Sequence, residues 1–95
     1  MVNEDNINRI RSELSIRIKG TVETEVYSLN LNPVLHIIIT NNGTFESFVN
    51  SFSMEYLNVI FNGDDRTIKI IEQYIVDTVC ANYRNYILRQ YFKEV

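Results

Sequence analysis

Residues 64–95 constrain the fold more than any other part of the chain, because they form its longest uninterrupted stretch of helical character. Asp64 and Asp65 follow an Asn-Gly turn and suit the positive end of a helix dipole, whereas Lys93 suits the negative end. No Gly or Pro occurs between residues 66 and 93, so nothing there obliges a helix to stop. We therefore predict one long C-terminal helix.

Apolar side chains cover nearly the whole circumference of this predicted helix, and only a narrow polar sector remains around Gln73, Asp77 and Arg84. At ~1.5 Å per residue, a straight helix over residues 65–93 spans about 43 Å, whereas a compact chain of this length has a radius of gyration of about 12 Å. The helix must therefore either break near Asn82 or protrude from the domain and meet a partner.

The composition is that of one small folded domain. The chain has 95 residues, 45% of them hydrophobic, so we expect residues 1–95 to form a single domain. The formal net charge of -3 disfavours a protein that coats nucleic acid, because phosphate neutralisation needs a basic surface. The polar N-terminal residues and the lack of a long apolar run predict a cytoplasmic protein without a signal peptide or membrane span. A single cysteine, Cys80, agrees with a reducing compartment.

The first third of the chain changes from helical to strand periodicity. Apolar residues recur at helical spacing over residues 3–14 and predict a short amphipathic helix. From Ser15 onward they alternate with polar residues, which predicts a half-buried antiparallel strand with a bulge or bend at Gly20. An Asn-Pro pair predicts a turn within residues 28–33. The alternating apolar residues of the predicted strand are Ile16, Ile18, Val22 and Val26.

The middle of the chain completes a sheet. Residues 34–40 are a continuous β-branched run, which predicts a central strand buried on both faces, and Asn42-Gly43 predicts a hairpin turn after it. Residues 44–52 fit both a helix and a returning strand, and the preceding turn favours the strand. Residues 54–61 alternate and predict a final strand. These patterns predict an α+β fold with a short N-terminal helix, an antiparallel sheet of three or four strands and a long C-terminal helix packed on the sheet.

No pattern of residues predicts catalysis. His36 and Cys80 are the only residues of their kinds, so they form the one Cys-His nucleophile pair available, and a buried structural cysteine is the simpler interpretation. No Cys and His residues are spaced as metal ligands, and the pair Asp64-Asp65 offers too few oxygens for a calcium loop. No glycine-rich phosphate-binding loop occurs either. We therefore predict a non-enzymatic protein without a metal or cofactor.

Protein binding is the function that these features favour. Acidic residues in the middle of the chain suit a basic surface of a protein partner, and those predicted to contact it are Glu23, Glu25, Glu46 and Glu55. The excess of apolar surface on the C-terminal helix predicts a homodimer. Its predicted interface residues are Tyr74, Tyr83, Ile87 and Tyr91.

Nucleic-acid binding is the alternative function, because aromatic and basic residues are mixed near the C-terminus, with Arg84, Arg89 and Lys93 as the predicted phosphate contacts. The same cations can simply complement the helix dipole. In its size and in its layout of short helix, sheet and closing helix, the chain resembles small phage and plasmid proteins that inhibit host factors, including some anti-CRISPR proteins. The resemblance implies an inhibitor encoded by a virus or mobile element, and it assigns no site residue.

Overall fold

Three helices and a three-stranded antiparallel sheet make up the structure, a computed structural model that describes residues 1–93, with Leu29 described by its backbone alone. The strand order puts the second strand in the centre, and the helices pack on one face of the sheet. The predicted α+β fold is confirmed, with three strands. In chain order the elements are α1 (Glu4–Arg17), β1 (Gly20–Leu29), β2 (Asn32–Asn41), β3 (Ser47–Ser53), α2 (Met54–Ile60) and α3 (Asp65–Lys93).

Helix α1 begins at a capping box. The side chain of Asn3 accepts a hydrogen bond from the backbone N–H of Asn6 at 2.9 Å, and the side chain of Asn6 accepts one from the backbone N–H of Asn3 at 2.8 Å. Ile10 and Leu14 follow at i, i+4 spacing and are buried in the core. The predicted N-terminal helix is therefore confirmed.

This helix continues beyond its predicted end to Arg17. It ends at Ile18, whose backbone is extended and whose N–H donates to the carbonyl oxygen of Leu14 at 2.9 Å. Ile16 consequently lies on the exposed side of α1, and the predicted start of a strand at Ser15 was wrong. The cause is that the apolar spacing from Ile10 to Ile18 also fits an α-helix, and core packing decides between the two periods.

Two short turns join the three strands. Asn30 and Leu31 connect β1 to β2 with positive φ angles of 49° and 69°, as a two-residue turn between twisted antiparallel strands requires. The Asn42-Gly43 turn leads to β3, so both predicted turns are confirmed. The strand interpretation of residues 44–52 is confirmed from Ser47 onward, whereas residues 44–46 belong to the connection. Gly20 follows a bend and opens β1, where an added Cβ would stand 2.5 Å from the carbonyl oxygen of Thr40.

Strand β2 is central, as predicted, but it is buried on one face only. Leu35, Ile37 and Ile39 are fully buried beneath the helices, whereas the residues between them remain half-exposed. The prediction of burial on both faces was wrong. A run of β-branched residues is compatible with a strand buried on one face or on both. Among the described residues, helices cover only one face of the sheet.

The predicted strand over residues 54–61 was also wrong, because Met54–Ile60 form helix α2. Ser53 caps this helix by accepting a hydrogen bond from the backbone N–H of Tyr56 at 3.3 Å. Leu57 and Phe61 lie at i, i+4 spacing and are both buried, whereas Val59 is exposed. The apolar residues of this segment therefore fit both the alternation of a strand and the i, i+4 spacing of a helix with one buried side.

Helix α3 is continuous over 29 residues, and its first turn is capped by Asp64, which accepts a hydrogen bond from the backbone N–H of Thr67 at 2.9 Å. Asn82, the position of the predicted alternative break, lies within the helix and donates to the Asn50 side chain of β3 at 2.9 Å. The molecule measures 46 × 33 × 18 Å and its radius of gyration is 14.1 Å, so the helix protrudes. Residues 94 and 95 of the predicted helical stretch lie outside the described residues.

A buried polar contact joins α1 to α3. Glu72 is 8% exposed and accepts a hydrogen bond at 2.9 Å from the side-chain amide of Asn6, which is also buried. The Arg9 guanidinium pairs with the same carboxylate at 2.8 Å. Burying a carboxylate costs free energy unless it is paired, so Asn6 and Arg9 offset the cost of placing Glu72 between the two helices.

Candidate protein-interaction surface

The sheet face that points away from the helices carries no other described element. Side chains alternate across a strand, so the face opposite Leu35 and Ile37 holds every second residue of each strand. These side chains are exposed on the outer strands and half-exposed on β2. We call this surface the open sheet face; it consists of Thr21, Glu23, Glu25, Tyr27, Val34, His36, Ile38, Thr40, Ser47, Val49, Ser51 and Ser53.

A polar cluster lies on the open sheet face at β1. Glu25 is directly opposite His36 in the β1–β2 register, and the Tyr27 ring centroid is 4.8 Å from that of His36. The Tyr27 hydroxyl donates a hydrogen bond to the Glu25 carboxylate, which raises the pKa of the tyrosine. Glu23 lies on the same face, opposite Ile38. Two carboxylates thus stand at i, i+2 spacing on an exposed strand.

Strand β1 is also a free edge of the sheet. It is 10 residues long and pairs with β2 alone among residues 1–93, so the backbone groups on its other side lack a strand partner. Long unprotected edges are the places where a further strand can add. Neither Pro nor Lys occurs within β1, and its charged side chains are Glu23 and Glu25.

The structure brings together two of the four acidic residues predicted to contact a partner. Glu23 and Glu25 share the open sheet face. Glu46 lies in the loop before β3, where its carboxylate is 3.4 Å from the Tyr86 hydroxyl. Glu55 lies in the first turn of α2, at the other end of β3. The four carboxylates therefore do not form one surface.

The residues predicted for a dimer interface also separate. The Tyr83 ring packs against Phe48, with centroids 5.7 Å apart, and its hydroxyl accepts a hydrogen bond from Asn41 at 3.3 Å. Tyr83 is thus used in joining α3 to the sheet. Tyr74, Ile87 and Tyr91 are exposed, but Tyr74 points about 140° away from Ile87 around α3 at 3.6 residues per turn. Ile87 and Tyr91 lie at i, i+4 spacing and share one side of the helix.

The three predicted phosphate contacts do not form one surface, because Arg84 points away from the side of α3 that Arg89 and Lys93 share at i, i+4 spacing. Arg84 lines a groove of about 570 Å³ together with Arg17 and Lys19, whereas Arg89 lines a second groove beside Phe48. Lys93 is the last residue of α3. In the first groove Arg17 already pairs with Asp77 at 2.7 Å. Sequence reasoning missed this meeting of Arg17 and Lys19 with Arg84, because no local pattern relates positions so far apart in the chain.

The only Cys-His pair in the chain is not assembled. His36 lies on the open sheet face, whereas Cys80 packs against the core on the helical side of the sheet. Burial raises the pKa of the Cys80 thiol, which opposes formation of a reactive thiolate. Within residues 1–93, no group of three or more His, Cys, Asp or Glu side chains is placed to hold a metal ion.

The polar cluster around His36 was foreseeable in principle. A two-residue turn at Asn30 and Leu31 fixes the pairing of Glu25 with His36, and the alternation of side chains then puts both on one face. The turn was predicted only within residues 28–33, which leaves the register undetermined. Sequence reasoning therefore selected Glu23 and Glu25 for their charge and missed Tyr27 and His36 beside them.

No known protein family, curated protein or solved structure matches this chain. Within the part of the chain that the structure describes, no helix combines the length and the apolar character needed to cross a membrane.

Proposed function

We propose that this chain is a non-enzymatic protein-interaction module that binds an extended, positively charged segment of a partner protein along β1 and the open sheet face. One observation carries the proposal. A long edge strand lies at the border of an uncovered sheet face and presents Glu23 and Glu25 on it. The described residues of the open sheet face include no Lys or Arg, so this surface favours a cationic partner.

The mode of binding follows from the geometry of an edge strand. A partner segment that pairs with β1 adds a fourth strand and satisfies the free backbone groups. Its alternate side chains then lie on the open sheet face, where Lys or Arg at i, i+2 spacing meets Glu23 and Glu25. Tyr27 provides adjacent aromatic surface, of the kind that is enriched at binding hot spots.

A module of this kind acts by occupying a surface of its partner. It needs no catalytic group, and blocking the partner's own binding site is sufficient for inhibition. The chain resembles phage and plasmid inhibitors in its size and layout. We therefore propose that it is an inhibitor encoded by a virus or mobile element.

A charge-reversal pair tests the proposal. Glu23→Lys/Glu25→Lys reverses the acids on the open sheet face, and Glu46→Lys/Glu55→Lys makes the same change in net charge elsewhere. The probe is a fluorescent peptide in which Lys alternates with Val, followed by fluorescence anisotropy. We expect the first variant to weaken binding by at least about tenfold, because like charges replace the ion pairs. The second variant should bind as the unaltered chain does.

The matched pair also defines the result that would overturn the proposal. Equal weakening in both variants would indicate a general effect of net charge instead of a site on the sheet face. Unaltered binding after Glu23→Lys/Glu25→Lys, or no binding of the peptide to the unaltered chain, would remove the proposed surface. Circular dichroism of each variant confirms that the sheet is retained.

Single-stranded nucleic acid is a second candidate ligand, supported by the groove that Arg17, Lys19 and Arg84 line together. Its net positive charge is small, because Asp77 lies in the same groove and pairs with Arg17. The same anisotropy assay with a labelled oligonucleotide separates the two functions. Binding that weakens steeply with salt and is lost on Lys19→Glu would favour nucleic acid over a protein segment.

A further inference from the structure

An apolar stripe runs along the side of α3 that faces away from the core. Its members fall within a sector of about 40° at 3.6 residues per turn, on the side opposite the buried Val79. Its large side chains are exposed, with fractions of 63% for Ile70, 56% for Tyr74, 46% for Leu88 and 69% for Phe92. We call this surface the outer stripe; it consists of Ile70, Tyr74, Ala81, Leu88 and Phe92.

The residues of the outer stripe are spaced symmetrically along the chain about Ala81. Tyr74 and Leu88 each lie seven residues from Ala81, and Ile70 and Phe92 each lie eleven residues from it. A second copy of α3 placed antiparallel across Ala81 therefore sets Leu88 opposite Tyr74 and Phe92 opposite Ile70. A two-fold interface requires this kind of self-complementary surface. The small side chain of Ala81 at the centre allows the two helices to approach closely.

Two charged residues close to Ala81, Asp77 and Arg84, are also placed to pair in this antiparallel arrangement. Asp77 precedes Ala81 by four residues and Arg84 follows it by three, on the same flank of the outer stripe. In the antiparallel pairing, Arg84 of one copy lies within about one helical rise, ~1.5 Å along the axis, of Asp77 of the other copy. Hydrogen bonds from Arg17 and Gln73 lower the pKa of Asp77, and its side chain remains 58% exposed. Among residues 1–93, Arg84 has no acidic side chain within ion-pair distance.

The area of the outer stripe limits the affinity of such a dimer. A helix about 43 Å long and about 10 Å wide offers a strip of roughly 430 Å² per copy, below the ~800 Å² per partner of a standard stable interface. Pairing through α3 alone should therefore depend on protein concentration.

We propose that two copies of this chain form an antiparallel dimer through the outer stripe of α3, with the helices crossing at Ala81 and Asp77 paired with the other copy's Arg84. This interface lies on the side of the molecule opposite the open sheet face. It is therefore independent of the proposed partner site, and the dimer could present two such sites at once.

A pair of charge variants tests both the dimer and its register. Asp77→Arg alone and Arg84→Asp alone each place like charges in contact twice across the two-fold axis. We expect each variant to raise the dimer dissociation constant by at least about tenfold, because like charges across an interface repel. An equimolar mixture of the two restores opposite charges at both contacts and should form a heterodimer. Sedimentation equilibrium between about 10 μM and about 1 mM measures all four samples.

The apolar part of the outer stripe has its own test with a matched control. Leu88→Ser removes an exposed apolar side chain from the stripe, whereas Val59→Ser removes one from α2, where 71% of the residue is exposed. We expect Leu88→Ser to weaken the dimer by at least about tenfold and Val59→Ser to leave it unchanged. Because Leu88 is exposed, this test stands even if a charge variant fails to fold.

Three results would overturn the proposal. One is an unaltered chain that sediments as an 11.2 kDa monomer over the whole concentration range. Another is failure of folded Asp77→Arg and Arg84→Asp chains to associate when mixed. The third is equal weakening by Leu88→Ser and Val59→Ser. None of these results bears on peptide binding by Glu23 and Glu25, which is measured separately on the sheet face.

Discussion

Glu72 is the charged residue whose surroundings most restrict it. It lies in the contact between α1 and α3, and its carboxylate accepts hydrogen bonds from the buried amide of Asn6 and from Arg9. Its neighbours in the sequence do not distinguish it from a glutamate on the surface of a helix. Its burial follows from the tertiary contact, because Asn6 and Arg9 approach it only when α1 packs on α3.

Replacing Glu72 tests how much this contact contributes to stability. Glu72→Leu leaves the buried Asn6 amide without an acceptor, so we expect the free energy of unfolding to fall by about 1–3 kcal/mol. Glu72→Gln keeps an acceptor oxygen and should cost less. Urea unfolding of both variants measures the difference. Equal stability of Glu72→Leu and the unaltered chain would show that the contact does not stabilise the fold.

At the scale of elements, the hairpin of β1 and β2 contains a strained residue. Leu31 has a φ of 69° and is 96% exposed, so its side chain gains little from packing while its backbone has an unfavourable conformation. A left-handed residue is required here because a two-residue turn must match the twist of the strands. The turn geometry thus overrides the preference of leucine.

Leu31→Gly should therefore stabilise the chain. Glycine adopts this φ without steric cost, and part of that gain is offset by its greater freedom in the unfolded chain, so we expect about 0.5–1 kcal/mol. Leu31→Ala is the matched control, because it removes the side chain but keeps the backbone strain. Urea unfolding compares the two variants. If alanine stabilised the chain as much as glycine does, the strain would not be the cause.

Helix α2 shows why some elements could not be predicted from local pattern. Leu57 and Phe61 are separated by four residues, a spacing that is shared by one face of a strand and one face of a helix. The exposed Val59 between them distinguishes the two, and its exposure is a property of the packed molecule. The long helix α3 had no such ambiguity, since its length excludes a strand.

At the scale of the whole molecule, α3 is longer than the sheet that it covers. Its contacts with the sheet end in an aromatic cluster in which Tyr83 and Tyr86 pack against Phe48, with ring centroids 5.7 and 5.2 Å apart. The exposed Tyr91 and Phe92 lie beyond this cluster. The end of α3 beyond this cluster should therefore contribute to association but little to stability.

Truncation separates these two roles. Removing residues 91–95 should change the free energy of unfolding by less than about 0.5 kcal/mol, because the lost side chains of the described residues are exposed. It should also weaken the dimer, since Phe92 belongs to the outer stripe. Removing residues 83–95 is the contrasting variant and should destabilise the fold through loss of Tyr83 and Tyr86. Urea unfolding in dilute solution and sedimentation equilibrium measure the two effects. Strong destabilisation by the shorter truncation would contradict this division.

The sequence by itself determined the features that depend on neighbouring residues. The N-terminal helix, both turns, the central strand and the long helix follow from periodicity, capping and turn residues, which act over a few positions along the chain. The tertiary structure alone decided which strand face stays open, that residues 54–60 are helical, and that Glu23 and Glu25 separate from Glu46 and Glu55. These outcomes depend on which apolar faces meet, because burial is a property of contacts between distant segments and not of any one segment.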